Sequence, residues 1–394
     1  MLITTAARGS GPRHERTDMG ESSGTGFVAG LEDVVAAETR LSGVDGEAGE
    51  LILAGFPVEE LAGRASFEET VYLLWHDVLP DARQLADFRE QLAERREMSP
   101  ATLDLLRAVA CEKVPAMDAL RMAAGTVSPG IDEEEALALV ARLPTIVAAY
   151  SRMLEGEEPV DPDPSLGHAA NYLYMLTGEV PGAEFTRALD TYLSAGSDHG
   201  MNASTFAARV IVATRSDFVS AVVGAIGALK GPLHGGAPGP ALDVVFEIGD
   251  ASRAEVYLRE KLGRGERLMG FGHRIYRVRD PRADVLATAA ERLYTTDGDK
   301  ELYELALDVE QTALTLLTEH KPGRNLQTNV EFYTALLLHG LRLPTQLFTP
   351  TFAAGRVAGW TAHCFEQRAL DRLIRPQSVY VGSRDRSWVP LDER

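Results

Sequence analysis

Four short patches in the second half of the chain carry residue types that can move protons at neutral pH. They read Ser197-Asp198-His199-Gly200-Met201-Asn202, Gly231-Pro232-Leu233-His234-Gly235-Gly236, Met269-Gly270-Phe271-Gly272-His273-Arg274 and Asn329-Val330-Glu331-Phe332. Three set a His among glycines, and the fourth sets one carboxylate among apolar residues. Imidazole changes charge close to neutral pH. Glycine permits positive φ and close approach of backbone to a ligand. Each of these imidazoles could therefore reach into a cavity from a helix end. His14, His76, His168, His320, His339 and His363 lack this setting and read as structural residues.

Three histidines could hold a metal ion or move protons. They lie far apart, and the chain has no His-x-x-x-His or Cys-x-x-Cys pair among them. That spacing disfavours a metal site. Acid-base chemistry fits better. His273 is followed by Arg274, Arg277, Arg279 and Arg282, with Asp280-Pro281 between. Arginines beside a His suit an anionic substrate, with the imidazole donating to a carbonyl oxygen that gains charge. The alternative is a solvated basic face, a reading that suits Arg274 and Arg279. Glu331 opens an apolar stretch with Leu336, Leu337, Leu338 and Leu341. A carboxylate there is a favourable partner of the helix dipole. Partial burial would instead raise its pKa and make it a usable base.

These residues must be positioned by helices. Phe218, Val219, Val222, Val223, Ile226 and Leu229 form the stripe of one, and Leu302, Leu305, Val309, Ala313, Leu316 and Leu317 repeat it. The same patterning predicts helices near 66–77, 82–96, 101–110, 115–127, 132–154, 165–177, 183–196, 203–214, 239–247, 252–263, 282–294, 326–340 and 350–371. Strand signals are few: Glu50 to Ala54 and Ser378 to Val381. The expected architecture is all-α, with a larger and a smaller lobe. The Gly/Pro-rich stretch 231–240 is a candidate hinge or an ordinary helix-helix loop.

Composition narrows the function. With 39 Lys and Arg against 58 Asp and Glu, the net charge of −19 argues against nucleic acid as a partner. Lysine occurs only at Lys113, Lys230, Lys261, Lys300 and Lys321, so the other basic side chains are arginines. Arginine suits bidentate recognition of carboxylate and phosphate, although genome composition produces the same skew. No apolar run reads as long enough to span a bilayer. Met1 to Thr25 has Arg8, Arg13, His14, Glu15 and Arg16 without an apolar segment after them, and reads as a flexible tail (residues 1–25). Cys111 and Cys364 form no motif and are expected as buried free thiols in a reducing cytoplasm.

Taken in order, the patches resemble the citrate synthase family in its shorter prokaryotic form. The matching residues are 197–205 (Ser-Asp-His-Gly-Met-Asn-Ala-Ser-Thr), 231–237 (Gly-Pro-Leu-His-Gly-Gly-Ala), 270–276 with Asp280-Pro281-Arg282, and 329–333 (Asn-Val-Glu-Phe-Tyr). Gly355 to His363, Arg372 to Pro376, Leu41-Ser42 to Gly55-Phe56 and Val71 to Trp75 extend the likeness from about Val28 to the C-terminus.

The resemblance implies an all-α homodimer that condenses an acyl-CoA with a 2-oxo acid, usually acetyl-CoA with oxaloacetate, without metal or redox cofactor. It implies a large domain (26–235 and 341–394) and a small one (236–340). By resemblance Glu331 is the base, His234 faces the thioester oxygen and His273 polarises the ketone. His199, Arg282 and Arg356 bind the oxo acid, and Arg375 reaches in from the other subunit. Leu268, Met269, Gly270, Arg277 and Asn329 belong to the CoA site. Most members carry Asp where this chain has Glu331 and commonly Pro where it has Thr328. A 2-methylcitrate synthase using propionyl-CoA and a catalytically silent CoA- or citrate-binding sensor are the alternatives.

Overall fold

The computed structural model describes residues 27–127, 130–235, 238–273, 275–296 and 299–394. The expected tail, His14 and Arg274 lie outside these residues, as do Gly236 and Ala237 of the candidate hinge. The described residues form two units, one spanning Glu38–Ile374 and one made of residues 27–37 with Arg375–Arg394.

The larger unit is all-α apart from one small sheet. Its helices are α1 (Val58–Leu61), α2 (Phe67–His76), α3 (Ala82–Ala93), α4 (Pro100–Cys111), α5 (Ala116–Ala124), α6 (Asp132–Leu154), α7 (His168–Thr177) and α8 (Ala183–Ala195). They continue as α9 (Ala203–Val212), α10 (Phe218–Leu229), α11 (Pro238–Ile248), α12 (Ala251–Gly263), α13 (Pro281–Thr296), α14 (Lys300–His320), α15 (Val330–Gly340) and α16 (Phe348–Leu370). Local chemistry sets many of the ends. Ser66 and Glu69 make a capping box at α2, and Asn202, Asp217 and Asn329 cap α9, α10 and α15. The start of α15 differs most from expectation. The pattern predicts helix from 326, yet the Asn329 side chain accepts the Glu331 N–H at 3.0 Å and starts the helix at Val330.

Three short strands form an antiparallel sheet in the order β1 (Ser42–Asp45), β2 (Glu50–Leu53), β3 (Phe56–Pro57). Sequence reading finds only β2. The turn to β3 is Ala54-Gly55, both at positive φ (44° and 89°), as a two-residue hairpin requires. Leu51 and Leu53 alternate into the core.

The core runs through α6, α10 and α16. By length and apolar composition α6 could cross a membrane, contrary to expectation, but 78% of its most apolar window is buried inside the fold. Four acidic residues open it, and Phe218, Val222 and Ile226 of α10 are also fully buried. Cys364 in α16 is buried as expected. Cys111 is not: it ends α4 on an exposed face.

The smaller unit holds a short 3-10 turn (Ala29–Leu31) and a largely extended C-terminal segment closing in another (Leu391–Glu393). Ser378 to Val381, expected as a strand, joins no sheet: Tyr380 and Val381 are exposed, and among the described residues no strand pairs with them.

Candidate active site

One face of α16 fixes the loop that carries His199. Arg356 Nε donates to the Gly196 carbonyl at 2.6 Å, Gly359 N–H donates to the Ser197 carbonyl at 3.1 Å, and His363 Nε2 lies 3.2 Å from Asp198 Oδ2. These residues are spaced by three and four, so they stack along one side of the helix. A Cβ on Gly359 would sit 2.7 Å from Asp198 Oδ1, which explains the glycine there. His363 Nδ1 accepts from Arg209 Nη1 at 3.0 Å, so its proton sits on Nε2 and points at Asp198. Ser42 Oγ donates to the same carboxylate at 2.5 Å and accepts the Gly200 N–H at 2.7 Å. His363 is thus structural, as its sequence setting suggests, but it supports His199.

The loop carrying His273 is held from two sides. Arg277 N–H donates to the Gly46 carbonyl in the β1–β2 turn at 2.8 Å. Gly272 N–H donates to the Gln327 carbonyl at 2.7 Å, Asn329 N–H to the Gly270 carbonyl at 3.0 Å, and Asn329 Nδ2 to the Gly272 carbonyl at 2.8 Å. Gly270 (φ +88°) and Gly272 (φ +79°) occupy backbone conformations that other residues strain to adopt. The Gly-Phe-Gly-His patch therefore exists to lay the His273 loop against the start of α15. His273 Nδ1 accepts both the Ile275 and Tyr276 N–H groups at 3.1 Å. Neutral His273 must then carry its proton on Nε2, which makes Nε2 a hydrogen-bond donor.

Around these loops lies a cluster of neutral imidazoles and buried arginines. The His199 and His273 rings are 5.9 Å apart, and His199 Nε2 lies 3.1 Å from the Tyr276 hydroxyl. Burial, then Arg282, pushes His273 down to about 4. Burial, then Arg282 and Arg356, lowers His199 well below its usual range. Arg282 makes a bidentate pair with Asp280 at 3.0 and 2.7 Å, both side chains being buried. Arg356 is 2% exposed, stacks over Phe352 at 4.7 Å and makes no ion pair among the described residues. Asp198 is its strongest stabilising charge but makes no direct pair with it, and a buried cation left unpaired calls for an anionic ligand.

Two groups remain for the proton. Glu331 is half-buried in the first turn of α15 and makes no side-chain hydrogen bond or ion pair among the described residues. Burial raises its pKa, while Arg282 pulls it back. His234 Nε2 lies 2.8 Å from Ser204 Oγ, which also accepts the Trp360 Nε1–H at 3.0 Å and lies 2.8 Å from Asn202 Oδ1. Burial, then Arg356, pushes His234 down to about 4, so it acts as a neutral imidazole at pH 7. A carboxylate ready to accept a proton beside neutral donors can deprotonate carbon next to a carbonyl.

The structure thus brings His199, His273, Arg282 and Arg356 into one electrostatic cluster, with Glu331 coupled to Arg282 and His234 to Arg356. Sequence reading missed Tyr276, Ser204, Asp198 and the pairing of Asp280 with Arg282. Arg279 is no solvated cation: it is part-buried between Asp284 (2.5 Å) and Glu310 (2.8 Å). Among the described residues no group of three His, Cys, Asp or Glu is placed to hold a metal ion. A cavity of about 280 Å³ between α1, α8 and α13, lined by Glu59, Arg187 and Arg292 among others, contains none of the candidate residues.

The family model described as citrate synthase, C-terminal domain, matches residues 30–377. The chain belongs to the citrate synthase family. It is 40% identical over 379 residues to the citrate synthase of Haloferax volcanii, covering 93% of this chain and 98% of the relative. It is also 40% identical over 366 residues to a 2-methylcitrate synthase of Mycobacterium tuberculosis, covering 91% of each. The structure of the Pyrobaculum aerophilum citrate synthase matches with a TM-score of 0.85 at 38% identity, over 93% of this chain and 95% of that one. The Thermoplasma acidophilum citrate synthase, solved as a ternary complex with carboxymethyl coenzyme A and oxaloacetate, matches with a TM-score of 0.82 at 31% identity, over 93% of this chain and 98% of that one. Of the residues that citrate synthase likeness assigns to coenzyme A, Leu268 is buried, Met269 half-buried, and Arg277 exposed with Glu47 at 3.9 Å. Asn329 is occupied as cap and loop tie. Arg375 is exposed and belongs to the smaller unit.

Proposed function

We propose that this citrate synthase family member condenses acetyl-CoA and water with oxaloacetate, giving citrate and CoA. The observation that carries the reading is Glu331: a half-buried carboxylate with no ion pair among the described residues, coupled to a buried arginine that also neighbours His199 and His273. Glu331 takes a proton from the thioester methyl group. Neutral His234 donates to the thioester oxygen as the enol forms. The enol carbon attacks the ketone of oxaloacetate while His273 Nε2–H stabilises the developing alkoxide. His199, Arg282 and Arg356 hold the two carboxylates. Water then cleaves the new thioester and CoA leaves.

The proposal extends to a homodimer in which Arg375 completes the partner's site, with lobes divided at 236–340. Leu268, Met269, Gly270, Arg277 and Asn329 would hold CoA. The reaction runs without metal or redox cofactor, in the cytoplasm. Thiol release from acetyl-CoA with oxaloacetate tests the central reading. No release with either acetyl- or propionyl-CoA would end it. The likeness to a 2-methylcitrate synthase at the same identity supports propionyl-CoA as a second substrate. One methylene is worth only ~1–3 kcal/mol in such a pocket, so kcat/KM for the two thioesters decides. A silent sensor would bind oxaloacetate yet turn over neither.

A further inference from the structure

We propose that Glu310, on α14, is a positioning residue that sets where the Glu331 carboxylate sits. The inference rests on Glu331 being the base. Glu310 is 8% exposed, and a carboxylate so buried needs partners. Its Oε1 accepts from Thr328 Oγ1 at 2.5 Å and from Arg279 Nη1 at 2.8 Å, and its Oε2 accepts from the Tyr333 hydroxyl at 2.5 Å.

The spacing of those partners is what matters. Thr328 precedes the cap of α15, and Tyr333 lies in its first turn. Glu331 stands between them. One carboxylate therefore grips both ends of the turn that carries the base, one oxygen to each end. Arg279 adds a third element. It immediately precedes Asp280, the partner of Arg282, and its guanidinium lies 5.7 Å from the centre of the Tyr333 ring. Its charge is shared between Glu310 and Asp284. Glu310 thus ties α14, the loop of His273 and Arg282, and the start of α15 at one point. It hydrogen-bonds to none of His199, His234, His273 or Glu331, so it acts only through them.

The test removes the two hydroxyls while leaving the Glu310–Arg279 pair. Thr328→Val and Tyr333→Phe, singly and together, are compared with wild type for kcat, for the midpoint of the acid limb of kcat and for oxaloacetate Kd by calorimetry. Because a misplacement of about 1 Å costs ~10²-fold, the double variant should lose about 10–100-fold in kcat and move the acid limb. Its oxaloacetate Kd should stay within about 2-fold of wild type. Thr328→Ser, which keeps the hydroxyl, should behave as wild type. Unchanged kcat in a folded double variant overturns the inference. So does a parallel loss of kcat and oxaloacetate affinity with the acid limb in place, which would signify general loosening. If the double variant fails to fold by circular dichroism, Tyr333→Phe decides by the same criteria. A wild type inactive on both thioesters would overturn the functional reading and this inference together. An active wild type with equally active variants would overturn this inference alone.

Discussion

Replacing Arg356 by Met should separate stability from ligand binding. The guanidinium is 2% exposed, and burial pushes its pKa down to about 10. At ~1.36 kcal/mol per pKa unit, keeping it charged costs the folded state about 3 kcal/mol. The folded pKa is the lower one. The cost is therefore complete at all pH values below about 10 and fades only above it, as the unfolded arginine also loses its proton. Against it stand the hydrogen bond to Gly196 O and the stacking on Phe352, together about 2–4 kcal/mol. The two sides nearly cancel. Arg356→Met, which keeps most of the volume, should leave the ligand-free Tm within about 2 °C of wild type, since 1 kcal/mol moves a large domain by ~2–4 °C or less. Oxaloacetate binding should weaken about 10–150-fold, the equivalent of one charge-assisted pair at ~1.5–3 kcal/mol. Thermal shift with and without oxaloacetate reads both. A ligand at 100 times its Kd stabilises by ~2.7 kcal/mol, and the variant should lose most of that shift. A Tm that falls by many degrees, or a shift that survives, would refute the reasoning.

Glu331→Gln should lower kcat by ~10²–10⁴-fold and leave oxaloacetate affinity intact, as thiol release and calorimetry would show. Because burial raises the Glu331 pKa, ionising it costs stability as pH rises through that value. The same variant should gain thermal stability at neutral pH and lose that advantage in acid. His234 and His273 run the other way. Their pKa values fall to about 4, so stability should drop as pH falls from 6.5 through about 4, and His273→Gln should flatten that drop in urea titrations. Gly270→Ala would hold a Cβ at φ +88° and 3.0 Å from Phe332 Cβ, and should cost about 1–3 kcal/mol of stability by denaturant melt.

Much of this was legible because helices announce themselves locally. The 132–154 stripe and α6 share both ends, and caps such as Asn202 and Asp217 lie in plain sight. The small sheet was not, since β1 and β3 are too short to show alternation and exist only by pairing with β2. His199, His234 and His273 were legible from their glycines. Their supports were not. Ser204, Tyr276 and Glu310 look like ordinary residues until folding sets them beside His234, His199 and Tyr333, which lie 30, 77 and 23 positions away. The opposite error fell on Arg279, whose sequence neighbours suggested solvent while its spatial neighbours are two carboxylates.

The face of α16 that holds residues 196–198 gives the site one stiff jaw. Arg356, Gly359 and His363 keep their spacing because a helix keeps its pitch, so the oxo-acid half cannot be retuned one residue at a time. The other half is stitched from loop to loop through Gly270, Gly272 and Asn329. A substitution in those loop ties should therefore shift His273 and Glu331 together while residues 196–198 stay in place.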